Sequence, residues 1–331
     1  MLFINQYLVK LFWKISYSKK YIFILLLVIN FFANCSKIEN IEQSNISIIE
    51  TSLGVNTSDS PLGNDFLFFK DVRYGNKDRN FLDIILPKTN KLNGAVIFFH
   101  GGSFLFGSKE DLYQDDQKEI INSILNENLA VVNSEYTFIT DNEAEGVITS
   151  LTDGKKVIEF INQRSSVIGF PENKLILAGI SAGAGIAIWN GLREDTNKNV
   201  IGIFTTLAQS TYNMYKWEKI FTDFQVDLFR DEYILLDDLF LKFYNNSITS
   251  ENLKVLDYLN QMDKNDPPIF IYNPVYDDEV ITKDNIIDFN VLFHSYKHGN
   301  AIRKAASNVG LQFSGTYQET PINFIRRMVQ K

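Results

Sequence analysis

An α/β domain, with a mostly parallel central sheet flanked by helices, is what this sequence predicts, and three observations predict it. From Asp65 onward, short β-branched and aromatic runs alternate with longer stretches of helical period, the pattern of a sheet covered by helices. Several of the runs are continuously apolar, as strands buried on both faces must be. The sequence Gly179-Ile-Ser181-Ala-Gly183 falls between one such run and a small-residue helix, so a glycine-bounded serine sits at a strand-to-helix turn.

The composition agrees with one folded core. The chain has 331 residues, 45% hydrophobic and 22% charged, too apolar for a disordered segment and within the length of one large domain. The formal charge is -8. Residues 1–34 carry Lys10, Lys14, Lys19 and Lys20 and no acid, so the remainder is more acidic still. An acidic body without a basic stripe excludes nucleic acid as a partner, because phosphates are repelled.

Residues 1–34 read as a targeting segment. Four lysines precede an apolar run from Tyr21 to Ala33, then Asn34 and Cys35. A dozen apolar residues after a basic region make a signal-peptide core and are short for a membrane span. Cys35 is the only cysteine, so no intramolecular disulfide can form. Its position resembles a bacterial lipoprotein signal, which implies acylation of Cys35 and a cell-envelope protein held to a membrane by its lipid, facing the periplasm or the outside. Phe32-Ala33-Asn34 departs from the usual Leu-Ala-Gly before that cysteine. Residues 35–63 are polar, rich in Ser and Asn, and read as a tether.

The body then spans 64–331. Phe66 to Val72 and Phe81 to Leu86 are expected to open it as an antiparallel pair. Ala95–Phe99, Leu129–Asn133, Leu175–Ala178 and Ile269–Tyr272 are the buried parallel strands, with helices over Leu112–Leu125 and Ser150–Arg164. About 214–266 is helical and unusually aromatic, with Trp217, Phe221, Phe229, Phe240 and Phe243 among acidic residues. An insertion placed before the Ile269 strand is expected to lie as a cap over the carboxyl ends of the strands, where open α/β sheets bind ligands.

Ser181 is the candidate nucleophile. The turn is so sharp that a Cβ at either flanking glycine would strike backbone, and the serine is forced outward at a helix N-terminus that favours developing negative charge. Gly101 and Gly102 follow a buried strand about 80 residues ahead of the elbow, where backbone N–H groups can form one side of an oxyanion hole, with the Ala182 N–H supplying the rest.

Together, Asp71-Val-Arg-Tyr-Gly75, Leu82-Asp-Ile-Ile-Leu-Pro87, His100-Gly-Gly-Ser-Phe104 and Gly179-Ile-Ser-Ala-Gly183 resemble the carboxylesterase and hormone-sensitive-lipase-like branch of the α/β-hydrolases over roughly 66–331. The resemblance implies the α/β-hydrolase fold with a helical cap, hydrolysis of short-chain or sugar esters through an acyl-serine, a small-molecule or carbohydrate ester as partner, no cofactor, and a structural role for His100. Gly179-Ile-Ser differs from the commoner Gly-Asp/Glu-Ser of that branch. Asp277, after the Ile269 strand, matches the family's acid position, with Asp278 the alternative.

The base is the open question. The chain has three histidines, and none follows the expected last strand, Leu311 to Tyr317, where the family carries one. His298 and His294 precede a helix of about Asn300 to Val309 whose start should face the strand ends, with His298 placed ahead of His294 and Glu319 behind both. Two readings therefore stand: a serine esterase, or a weak or inactive homologue serving as an envelope binding module. A dinucleotide fingerprint fails because Ile188 stands where a third small residue is needed. No His/Cys cluster has metal-ligand spacing.

Overall fold

A computed structural model describes residues 45–89, 91–275 and 289–331. Cys35, Asp277 and Asp278 lie outside these residues. The chain divides into two compact units, Met1–Thr51, of which 45–51 are described and helical, and Ser52–Lys331, which holds everything below.

The described strands form one sheet in the order β1-β2-β3-β5-β4-β6-β7-β8-β9. These are Thr57–Ser58, Phe66–Arg73, Phe81–Pro87, Gly94–Phe99, Leu129–Ser134, Leu175–Ile180, Val200–Thr206, Ile269–Tyr272 and Phe313–Ser314 for β1 to β9, with β4 preceding β5 in the chain. The first three pair antiparallel and β3 joins β5 antiparallel; from β5 through β9 every pairing is parallel. This is the α/β-hydrolase arrangement. The four strands expected as buried runs lie within β4, β5, β6 and β8.

Two differences from the sequence reading have clear causes. Thr57 and Ser58, inside the stretch read as tether, pair with Phe69 and Phe68 and add an edge strand. Their polar side chains suit an exposed edge and give no apolar signal. β7 was not anticipated because Gly202 interrupts its run. A Cβ there would meet Met328 Cγ at 2.8 Å, so the glycine lets helix Pro321–Gln330 pack close to the strand.

That helix and helix Asp115–Asn126 cover one sheet face, with Ile121, Ile124, Phe324, Ile325 and Met328 against Val96, Phe98, Val131, Ile176 and Phe270. Each such side chain contributes about 1.5–3 kcal/mol on burial. Helix Ala182–Gly191 packs on the other face, where a Cβ on Gly191 would meet Ile203 Cδ1 at 2.4 Å. The chain between β7 and β8 carries three short helices, Val226–Glu232, Ile234–Phe243 and Ser250–Val255, flanked by single turns at Met214–Lys219 and Tyr258–Gln261. This is the region expected at 214–266. Because β4, β6, β7 and β8 run parallel, their carboxyl ends bring Ser181 and the loops after the other three strands to one edge.

Candidate active site

Ser181 stands between β6 and helix Ala182–Gly191 with φ 53° and ψ -116°, a conformation that costs a non-glycine residue on the order of 1–3 kcal/mol. Its neighbours hold it there. The Ser181 N–H donates to Thr206 O at 3.0 Å. A Cβ on Gly179 would lie 2.1 Å from Gly183 O, and one on Gly183 would lie 2.0 Å from Phe99 O. Both glycines are therefore required by backbone, as the sharpness of the turn had implied.

Gly101 and Gly102 lie alongside. A Cβ on Gly101 would be 3.5 Å from Ser181 Cβ, and Gly102, at φ 111°, would drive one to 1.9 Å from Phe106 O. The Tyr136 hydroxyl reaches His100 O at 2.9 Å and Gly101 O at 3.2 Å. In a trans peptide the carbonyl and the next N–H point opposite ways, so pinning these two carbonyls turns the Gly101 and Gly102 N–H groups away from Tyr136. The Ala182 N–H opens the elbow helix and has no partner within it. His100 is buried and stacked on Tyr136 at 4.4 Å between ring centroids. Its Nε2 lies 3.4 Å from the carboxylate of Glu135, which accepts a hydrogen bond from Lys109 N at 2.6 Å and pairs with Arg79. His100 thus ties the loops after β4 and β5 together and supports the glycine loop from behind.

The histidine beside the serine is His294. Its Nε2 is 2.9 Å from Ser181 Oγ. It is the last residue of helix Phe289–His294, and Ser295 then breaks the chain with ψ 146° before helix Tyr296–Val309 begins. His298 was expected ahead of His294; the geometry reverses that order. His298 is wholly buried, between the rings of Trp217 and Phe221. Its Nδ1 faces the Ser210 N–H at 3.2 Å, and its Nε2 lies 2.8 Å from Leu292 O. Burial, against the opposing pull of the Leu292 carbonyl and with a smaller push from nearby His294, lowers its pKa to about 4. Two different neighbours fix one neutral tautomer, and the serine hydroxyl beside its Nδ1 is that of Ser210 at 3.1 Å, which leaves His298 no free nitrogen for Ser181. Glu319 is committed too: hydrogen bonding from Arg327 lowers its pKa.

Ser181 and Ala182 open onto a cavity of about 210 Å³. It is walled chiefly by Phe229, Leu239, Phe240 and Phe243 from the β7–β8 insertion and by Phe289 and Phe293 from the helix that ends in His294. The few polar groups are Ser103, Gln209 and Tyr212, and burial pushes the Tyr212 phenol well up, so it remains a neutral donor. At this volume, below the usual 300–1,000 Å³ of drug-sized sites, the cavity takes one small apolar group. Sequence reasoning singled out the insertion's aromatics but had no signal for Gln209, Tyr212, Phe289 or Phe293, which only the fold brings here. Among the described residues no group of three His, Cys, Asp or Glu could hold a metal ion.

The BD-FAE family model matches residues 82–287, a span that includes the glycine loop and the serine elbow. The chain belongs to the BD-FAE family. It is 30% identical over 167 residues to isoprenylcysteine alpha-carbonyl methylesterase ICME of Arabidopsis thaliana; the match takes in 46% of this chain and 37% of that protein, so the chain spans little more than a third of its relative. Among solved structures, a truncated carbohydrate esterase from gut microbiota superposes with a TM-score of 0.58 at 12% identity, over 80% of this chain and 96% of that one. Esterase B from Lactobacillus rhamnosis gives 0.56 at 13% identity, over 90% and 91%. At such identities the structures establish the fold.

Proposed function

We propose that this chain is a carboxylic-ester hydrolase that works through an acyl-serine on Ser181. The observation that carries the reading is the 2.9 Å approach of His294 Nε2 to Ser181 Oγ at a nucleophile elbow. His294 accepts the hydroxyl proton as Oγ attacks the ester carbonyl carbon, and the Gly101, Gly102 and Ala182 N–H groups hold the resulting oxyanion. Collapse of the tetrahedral intermediate breaks the ester C–O bond, and the leaving alkoxide takes the proton from His294. A water then loses a proton to His294 and attacks the acyl-enzyme, releasing the carboxylic acid and returning the proton to Ser181. Asp277, with Asp278 second, is the acid proposed to hold the other His294 nitrogen.

The apolar cavity supports a small apolar acyl group as the part recognised, on a short-chain or sugar ester. Family membership and the esterase names of the relatives agree with this class of reaction. The alternative, a homologue that only binds, rests on the lack of a histidine after the last strand; the proximity of His294 to Ser181 supports the catalytic reading over it. The proposed envelope location rests on Cys35 and its preceding apolar run, and Cys35→Ser tests it: lipid labelling at that residue should vanish.

The deciding experiment is turnover of p-nitrophenyl acetate and butyrate by wild type, Ser181→Ala and His294→Ala. Removal of a nucleophile or its base typically costs up to about 10⁶ in kcat, so both variants should fall to near background. Wild-type turnover no faster than Ser181→Ala would overturn the esterase reading.

A further inference from the structure

Helix Phe289–His294 ends at His294, and the last carbonyls of a helix have no partner inside it. Here three consecutive ones are taken by buried side chains. His298 Nε2 donates to Leu292 O at 2.8 Å, Gln209 Nε2 to Phe293 O at 2.9 Å, and Asn273 Nδ2 to His294 O at 2.9 Å. Each group also reaches main chain 207–210, Asn273 and Gln209 through the same amide nitrogen. Asn273 Nδ2 also donates to Ala208 O at 2.9 Å, Gln209 Nε2 to Leu207 O at 3.1 Å, and His298 Nδ1 accepts from Ser210 N at 3.2 Å.

Three side chains thus staple main chain 292–294 to main chain 207–210. The second segment continues directly from Thr206, whose carbonyl accepts the Ser181 N–H. A closed mechanical path runs from His294 through the staples to the strand beside the elbow and on to Ser181. Packing alone does not call for it. All three side chains are at least nine-tenths buried, and burying polar groups costs free energy that their hydrogen bonds offset with only a modest net gain. What such bonds provide is directional restraint. His294 enters from the β8–β9 connection as the last residue of its helix, where the helix's own hydrogen bonds no longer hold the carbonyls.

We propose that Gln209, Asn273 and His298 are positioning residues that hold His294 at hydrogen-bond distance from Ser181. The inference rests on His294 being the base. A displacement of about 1 Å at a reacting pair can cost around 100-fold in rate, so the staples control kcat; Asn273 and His298 stand outside the cavity lining, so their loss largely spares KM.

The test compares full-length wild type with Asn273→Ala, His298→Ala, His298→Gln and His294→Ala on p-nitrophenyl butyrate, each checked for a cooperative melt. Expected are a 10- to 100-fold loss of kcat in Asn273→Ala and His298→Ala with KM within threefold, and recovery of most of that loss in His298→Gln, whose amide can still donate to Leu292 O. Folded alanine variants with kcat within twofold of wild type, beside an inactive His294→Ala, overturn the positioning role and leave the base assignment intact. An active His294→Ala overturns both. Should the alanine variants fail to fold, Asn273→Leu, similar in shape but without the donor, is read by the same criterion.

Discussion

The Tyr212 hydroxyl donates to Ala182 O at 3.0 Å across the one position of the elbow helix that leaves room for it: a Cβ on Gly185 would stand 1.8 Å from that oxygen. The ring cannot swing aside, being wedged edge-on among Phe104, Phe243 and Tyr258. Gly185→Ala should therefore destabilise the protein by about 1–3 kcal/mol through overpacking, seen as a melting temperature lower by several degrees. It should also lower kcat, because Tyr212 braces Ala182, whose N–H is proposed to complete the oxyanion hole. Tyr212→Phe removes only the hydrogen bond and should cost about 1 kcal/mol. A Gly185→Ala variant that melts with wild type would contradict the packing.

The His298 pKa makes stability depend on pH. Its folded value is lowered from 6.5 to about 4, chiefly by burial, so between those values the unfolded chain binds more protons. Stability then rises with pH across that window: the contribution is fully present above about 6.5, is lost as pH falls, and levels off below about 4. At 1.36 kcal/mol per unit, the loss is of order 3 kcal/mol. Urea midpoints from pH 7.5 to 4.5 should fall for wild type and fall less steeply for His298→Gln. Parallel curves for the two would remove His298 as the cause.

Lys109 is wholly buried, with its Nζ 3.0 Å from Asp83, 3.0 Å from Asp71 and 2.5 Å from Glu110. Burial alone would lower its pKa, but hydrogen bonds and charges from Glu110 and Asp83 raise it, so the ammonium persists. Removing one member of a buried pair leaves the other uncompensated and costs about 3–5 kcal/mol. Lys109→Met should lose roughly this in urea unfolding, and Asp83→Asn added to it should restore a large part. If the double variant is no more stable than the single one, Asp83 is not the charge that Lys109 serves.

Which of these features were legible follows from how local their causes are. The elbow was readable because Gly179 and Gly183 are demanded by backbone contacts within and beside a five-residue turn. β4 and β5 were readable because burial on both faces leaves nothing but an apolar run. β7 was hidden because Gly202 answers to Met328, more than a hundred residues away. The sequence puts both histidines in one loop near a helix start and ranks His298 first, whereas the structure sets His294 beside Ser181. Ser295 divides that loop between two helices, so His294 and His298 head in different directions, and nothing in Phe293-His-Ser-Tyr-Lys-His298 states which one turns toward Ser181.

The cavity predicts how selectivity can be moved. Leu239 lines it from helix Ile234–Phe243 and is only half-buried, so a larger side chain can enter the space without disturbing the sheet. If the space receives the acyl chain, Leu239→Trp should lower kcat/KM for p-nitrophenyl hexanoate at least tenfold relative to acetate, since one methylene in an apolar pocket is worth about 10- to 200-fold. Acetate itself should change less than threefold, its acyl group ending near Ser181. Phe240→Ala should shift preference the other way, toward longer chains. The leaving group is constant across this series, so equal losses on acetate and hexanoate in Leu239→Trp would mean that the cavity holds the alcohol side of the ester, and a series with a fixed acetyl group and varied alcohols would then show the discrimination instead.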